Sequence, residues 1–243
     1  MKIALIIPAH NEEQRIKKTL QAYADFFDAK KDITITYIVV LNGCTDNTIG
    51  VLSELRSALP SLTILDIPEA GKGCALKAGF AYALAHDQTF DAIGFVDADG
   101  ATAPAAYYDL VVNLDTADGI IASRYMPGAR IEPERPLIKR WGSKFVYEPL
   151  VLLLLGLSYY DLQCGAKLFK RPVIARIITQ LTIAQWAFDI ELLYLCKRYG
   201  FTIKEVPTVW HDQAGSKLRI MRGGVRMLFA LFYIWWHHRI MGK

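Results

Sequence analysis

No stretch of the 243-residue chain reaches the roughly 18 to 20 consecutive apolar residues that a bilayer crossing needs. Cysteine is scarce: Cys44, Cys74, Cys164 and Cys196 stand far apart and form no Cys-x-x-Cys, which excludes a zinc-finger pattern and a dense disulfide framework. Reduced thiols are the expectation. Charged residues make up only 21% against 53% hydrophobic, a balance that excludes a disordered chain. The opening MKIALIIPAHNEE turns polar too early for a signal peptide, so a cytoplasmic protein is expected, in solution or peripheral on the cytoplasmic face of a membrane. No internal repeat and no RNA-recognition or homeodomain pattern occurs, which argues against a nucleic-acid partner.

What charge there is lies unevenly. The formal net charge is only +4, yet from Lys197 to Lys243 nine Lys or Arg face only Glu205 and Asp212. Within that basic end, VRMLFALFYIWW (225–236) is flanked by Arg219, Arg222, His237, His238 and Arg239, an interfacial character that suits anionic lipid headgroups. Core packing or a dimer interface is the alternative for it and for FVYEPLVLLLLGL (145–157).

Short apolar runs alternate with longer helical stretches. IALII (3–7), stopped by Pro8, TYIVVL (36–41), SLTILDI (61–67) and AIGFV (92–96) read as strands, with helices predicted over about 12–27, 45–59 and 72–85 between them. Further on, GIIAS (119–123) and TIKEV (202–206) read as strands and about 186–199 as a helix. Such alternation predicts βαβ units, a mainly parallel sheet covered on both faces, and a ligand site at the carboxyl ends of the strands. Those ends carry His10-Asn11-Glu12, Asn42-Gly43, Glu69 to Gly73 and Asp97 to Gly100. The expected organisation is a catalytic body over 1–215 and a basic, aromatic helical arm over 216–243.

Asp97 and Asp99 stand two apart directly after an apolar strand. They either cap a turn or share a hard divalent cation whose other positions go to water and phosphate oxygens. Lys72, at a predicted helix start between two glycines, either is solvated or meets an anionic nucleotide beside the exposed amides. Asp189 and Glu191 near another helix start can cap it or act in a site, and Trp186 and Phe188 can wall a sugar or lipid phosphate. Lys217 either adds positive charge to the acceptor side or is a surface lysine.

IPAHNEE (7–13), GKGCALKAGF (71–80), FVDADGAT (95–102), SRY (123–125), DLQCGAKLF (161–169), WAFDIELLYL (186–195) and EVPTVWHDQAGSKL (205–218) stand in the order seen in inverting glycosyltransferases of family 2. The chain resembles the branch that loads sugars onto polyprenyl phosphates, the dolichyl-phosphate β-glucosyltransferases above all. The resemblance implies a GT-A nucleotide-sugar fold and a nucleoside-diphosphate sugar donor. Pro8 and Glu12 would line the nucleobase and ribose pocket, Asp97 would lie near the nucleotide, and Asp99 would help hold Mg2+ or Mn2+ on the diphosphate. It also implies Asp189 beside the reacting sugar, Arg124 toward phosphate, and Gln163 near the acceptor.

Two departures stand out. Where the family usually has consecutive aspartates after the second strand, this chain has Leu41 and Asn42; Asn42 can still hydrogen-bond a base, and Asp46 keeps the later acidic position. Ala101 replaces a polar metal contact common in mannose synthases, which favours glucose. The implied reaction moves a hexose to a lipid phosphate with inversion. The alternatives are a family 2 enzyme acting on a soluble or glycan hydroxyl, a metal-dependent nucleotidyltransferase, and a non-catalytic binding protein.

Overall fold

The computed structural model describes residues 1–87, 89–133, 147–211 and 220–240. In chain order its main elements are β1 (Lys2–Ala9), α1 (Ile16–Asp28), β2 (Thr34–Asn42), α2 (Thr48–Arg56), β3 (Leu62–Ile67), α3 (Lys72–His86), β4 (Ala92–Val96), α4 (Pro104–Asn113), β5 (Gly119–Ser123) and β6 (Arg130–Glu132). There follow α5 (Tyr147–Leu155), β7 (Ala166–Lys170), α6 (Arg171–Ile177), α7 (Phe188–Arg198), β8 (Ile203–Pro207), β9 (Val209–His211) and α8 (Ile220–Ile234), which ends in a π-helical turn over Trp235–Ile240.

Seven strands form one sheet in the order β3-β2-β1-β4-β7-β5-β8, parallel except for β7, which runs antiparallel to both its neighbours. β6 and β9 pair separately. Alternation along β1 divides the core. Ile3, Leu5 and Ile7 pack toward α1, α2 and α4 with Leu20, Leu52 and Leu110, while Ala4 and Ile6 face α3, α6 and α7 with Leu76, Ile174 and Leu192. Leu231 and Ile234 of α8 join the second cluster fully buried, and each contributes at most about 1.5 to 3 kcal/mol by leaving water. The expected architecture, a mostly parallel sheet flanked by helices with a C-terminal helical segment, is the one observed. No helix among the described residues is long and apolar enough to cross a membrane.

Two elements differ from the sequence reading. β1 does not stop at Pro8; it continues to Ala9, with Pro8 opposite Val40 of β2. The ladder to β4 has already ended at Ile6, so a residue without an N–H is tolerated at this strand end. DLQCGAKLF contains β7, a strand that enters the sheet in reverse and places Lys167 opposite Phe95. Helix α7 is buried on every side from Phe188 to Cys196, including Asp189 and Glu191. Two carboxylates in such a helix require partners.

Candidate active site

The sheet order reverses at β1, whose neighbours are β2 on one side and β4 on the other. Open sheets of this kind form their crevice at that point, beyond the carboxyl ends of the strands. The loop after β4 brings Asp97 and Asp99 there. Asp97 is anchored by its own N–H to the Gly165 carbonyl at 3.0 Å. Glycine at 165 leaves room for this carboxylate: a Cβ there would lie 1.8 Å from Asp97 Oδ2 and force the Asp97 side chain to move.

Lys72, the first residue of α3, reaches across to this loop. Its Nζ lies 2.9 Å from Asp97 Oδ1 and 3.4 Å from Asp189 Oδ2, over the face of Phe95. Lys167 meets Asp189 from the other side, Nζ to Oδ1 at 2.6 Å, and donates also to the Cys164 carbonyl at 2.7 Å. Asp189 is therefore held between two lysines, both nearly closed to solvent. Burial alone would raise the Asp189 pKa, but the two ammonium groups outweigh it and hold the carboxyl below its usual range. Burial would lower Lys72, and Asp189 with Asp97 reverses that as well.

Asp99 behaves differently. Burial first, and the Asp97 charge second, push its pKa up; the Ala101 N–H at 3.0 Å, Arg15 and Lys72 only partly offset them. A carboxylate that is largely buried near another carboxylate is short of positive charge. Among the described residues no three His, Cys, Asp or Glu side chains converge as a complete metal site. Two carboxylates with open positions nevertheless fit Mg2+ or Mn2+, which ordinarily keep water and substrate phosphate among their ligands.

The residues named for the donor gather at the ends of β1 and β2, several of them engaged within the chain. Glu12 forms a two-pronged pair with Arg15, both contacts 2.7 Å, and its N–H meets the Thr48 hydroxyl. Pro8 sits half-buried in the strand just before it. Asn42 is buried and uses both ends of its amide: Nδ2 donates to the Ala9 carbonyl at 2.8 Å, and Oδ1 accepts the Gly71 N–H at 3.1 Å. It ties β1 to the glycine turn that precedes Lys72. Asp46 accepts from the Thr48 N–H and hydroxyl and from the Glu13 N–H. These bonds outweigh its desolvation and keep its carboxyl acidic.

Arg124 and Gln163 form a separate cluster. The Arg124 guanidinium grips Asp161 through Nε at 2.6 Å and Nη2 at 2.9 Å and lies over Trp210, while the Gln163 N–H donates to Asp161 Oδ1. The Asp161 N–H in turn reaches Glu205. Arg124→Ala should lower the unfolding free energy by about 3 to 5 kcal/mol, because Asp161 would be left buried without its cation. A denaturant midpoint within error of the wild type would show that the pair adds nothing to stability. Trp186 stands exposed at 47% in the loop before α7, and Lys217 lies outside the described residues.

Lys167 was missing from the sequence reading, although a signal was there. Strand alternation puts it on the same face as Phe169, so a charged side chain points into an apolar layer and must meet an anion.

The Glycosyl transferase family 2 model matches residues 4–178, a span that holds the glycine turn, both strand-end aspartates and Lys167. The Drosophila melanogaster dolichyl-phosphate β-glucosyltransferase is 32% identical, over 97% of this chain and 74% of its own length. Among solved structures, Mycobacterium tuberculosis glucosyl-3-phosphoglycerate synthase, in complex with Mn2+, UDP-glucose and phosphoglyceric acid, has a TM-score of 0.65 at 20% identity, covering 97% of this chain and 79% of that one. Rubrobacter xylanophilus mannosyl-3-phosphoglycerate synthase has a TM-score of 0.69 at 16% identity, covering all of this chain and 75% of that one. These two share the GT-A type of fold seen here. By its family match and its hexose-transferring relatives, the chain belongs to glycosyl transferase family 2 and is a glycosyltransferase of its hexose-transferring branch.

Proposed function

We propose that the chain transfers a hexose, glucose before others, from a nucleoside-diphosphate sugar with inversion, using Mg2+ or Mn2+ held by Asp97 and Asp99. The observation that carries this is the cluster of Lys72, Asp97 and Asp189 beside the electrostatically unsatisfied Asp99. The metal would supply a positive charge for the leaving diphosphate. Lys72, at a helix N-terminus and beside Asp97, would meet the same diphosphate and stabilise it as charge develops. Asp189 would then stand opposite the sugar carbon with Lys167 still fixing its orientation. The M. tuberculosis synthase structures that contain Mn2+ with UDP-glucose, or Mg2+ with UDP, support this choice of donor and ion. Residues 1–215 serve in this reading as the transferase body and 216–243 as its arm.

For the acceptor, the M. tuberculosis synthase favours a soluble one, because its structures hold phosphoglyceric acid or glucosyl-3-phosphoglycerate, and a soluble or glycan hydroxyl stands ahead of the lipid phosphate expected from sequence. A hydroxyl must lose a proton. Asp189, relieved of Lys72 when diphosphate engages that lysine, is the buried carboxylate in place to take it.

A second reading rests on a surface. Phe229, Phe232, Tyr233, Trp236 and Ile240 of the C-terminal segment are exposed, as are Leu152 and Leu153 of α5, which packs against it. An apolar, aromatic face of this kind fits a membrane interface and a lipid-phosphate acceptor, in line with the dolichyl-phosphate transferase relatives. A phosphate monoester, with a second pKa of about 6, attacks without a base.

The test offers UDP-glucose, UDP-galactose, UDP-GlcNAc and GDP-mannose separately, with phosphoglycerate or a polyprenyl phosphate, and follows both glycosylated product and released nucleotide. Transfer to the soluble acceptor, abolished by EDTA, supports the first reading. Transfer to the lipid alone supports the second. In that case Phe229→Ser with Trp236→Ser should lower binding to anionic vesicles several-fold without lowering the melting temperature. Unchanged vesicle binding would make that face a protein contact.

A further inference from the structure

A buried hydrogen bond links the C-terminal segment, through Glu191 and the 182–184 backbone, to the first turn of α3. Glu191 lies on α7 two residues beyond Asp189 and is fully buried. Its Oε2 accepts the backbone N–H groups of Thr182 and Ile183 at 2.9 and 2.8 Å. Its Oε1 accepts the Thr182 hydroxyl at 2.5 Å and meets His238 Nε2 at 2.8 Å. A carboxylate has nothing to donate, so the ring nitrogen is the donor. His238 belongs to the π-helical turn after α8, and its side chain is as closed to solvent as its partner's. The arm is pinned there twice more: the Arg198 guanidinium donates to the His238 carbonyl, and Arg239 donates to the Leu154 carbonyl at 3.2 Å.

The backbone that Glu191 clamps leads straight to the active site. The next carbonyl, that of Ala184, accepts the N–H groups of Gly73 and Cys74 at 2.9 and 3.2 Å, and Gln185 donates to the Ala70 carbonyl. The approach is so close that a Cβ on Gly71 would lie 2.4 Å from the Ala184 oxygen, and one on Gly73 2.2 Å from the Ile183 oxygen. Gly71 also adopts a φ of +152°, which side chains rarely accept. Lys72 stands between these glycines. The glycines around Lys72 thus do more than turn the chain; they let the 183–184 backbone act as a floor beneath it.

We propose that His238 is a positioning residue for sugar transfer: by hydrogen-bonding Glu191 it holds the 182–184 backbone under the N-terminus of α3 and so keeps Lys72 aligned with Asp97 and Asp189. The proposal rests on the transferase reading above. It makes docking of the C-terminal arm a condition for an aligned reacting centre, through hydrogen bonds from residue 238 to residues 182 and 183 and, by way of the 183–184 backbone, to residues 73 and 74. His238 touches no reacting atom in this scheme.

The test uses the full chain with His238→Phe, which keeps a ring but loses the donor, and His238→Gln, whose amide nitrogen donates from a similar reach. His238→Phe should lower kcat about tenfold or more with donor KM changed less than about threefold, since only the alignment of Lys72 and Asp189 is lost. His238→Gln should restore kcat to within about threefold of the wild type. Equal losses in the two variants, or normal kcat in His238→Phe, would reduce the ring to packing and overturn the proposal. Hydrogen exchange at the amides of Thr182, Ile183, Gly73 and Cys74 reads the same path without turnover. Faster exchange in His238→Phe than in His238→Gln is expected, and equal exchange overturns the proposal even if no donor or acceptor in the panel reacts. Should His238→Phe not fold, Glu191→Gln carries the same two readouts, with faster exchange than the wild type expected and wild-type exchange fatal to the idea.

Discussion

Replacing Asp99 with asparagine should reduce turnover by about 10²- to 10³-fold, the scale of losing one preorganised electrostatic contact to a developing charge. Stability should hold or rise. The sign follows from the direction of its pKa. Burial and then the Asp97 charge raise the Asp99 pKa above the ordinary carboxylate value. The folded protein therefore disfavours the charged form, and that penalty grows as pH climbs past the unfolded carboxylate pKa of about 3.9. At neutral pH it is fully present without a cation, and asparagine removes it while keeping an oxygen for the Ala101 N–H. Thermal melts at pH 7, with turnover measured at saturating Mn2+, check both halves. A lower melting temperature with near-normal turnover would make Asp99 a turn cap and remove it from the metal site.

The parts of this chain that could be read in advance were those in which one residue's environment is set by its near neighbours. The alternation of apolar runs and helices located the parallel strands, and the polar residues after β4 marked the end of the sheet where Lys72, Asp97 and Asp189 meet. β7 is less legible, because it carries a lysine and enters the sheet backwards: the alternation of Lys167 with Phe169 hints at a strand, but nothing local gives its two partners in the middle of the sheet. Residue types in the site were legible while their partners were not. The sequence offers Asn42 as a group for a nucleobase and does not reveal that both ends of its amide bind backbone groups. The family resemblance turns Arg124 toward phosphate and gives no hint of Asp161, 37 residues later in the chain, against which it lies. For Glu191 the sequence leaves open a helix cap or a place in a site, and its partners include a histidine 47 residues away. Each of these pairings depends on where the sheet brings distant segments, which the spacing of residues does not encode.

Asp189→Asn should show the opposite combination to Asp99→Asn: turnover falls, and so does stability. The substitution takes from Lys167, fully buried, its carboxylate partner and leaves its ammonium the Cys164 carbonyl, while Lys72 keeps Asp97. Removing one partner of a buried pair costs about 3 to 5 kcal/mol. The pH window follows from both partners. Asp189 is held below the ordinary carboxylate range because its two lysines outweigh its desolvation. Its contribution is therefore present above the unfolded pKa of about 3.9 and is lost as pH falls through the lower, folded value. Lys72 is raised, because Asp189 and Asp97 outweigh its desolvation, so its contribution is present below about 10.4 and is lost as pH rises through the folded value. Between those limits the difference between wild type and Asp189→Asn in denaturant midpoint should be flat, which measurements at pH 5, 7 and 9 would check. Nucleotide affinity should be largely retained, since Asp97, Asp99 and Lys72 remain; titration calorimetry with an equal loss of affinity would move Asp189 into the donor subsite. Combining Asp189→Asn with Lys167→Met supplies the decisive comparison, because the double variant removes the stranded charge. If it regains stability but not turnover, the pair serves the reaction, and Lys167 is in the core because Asp189 must be there.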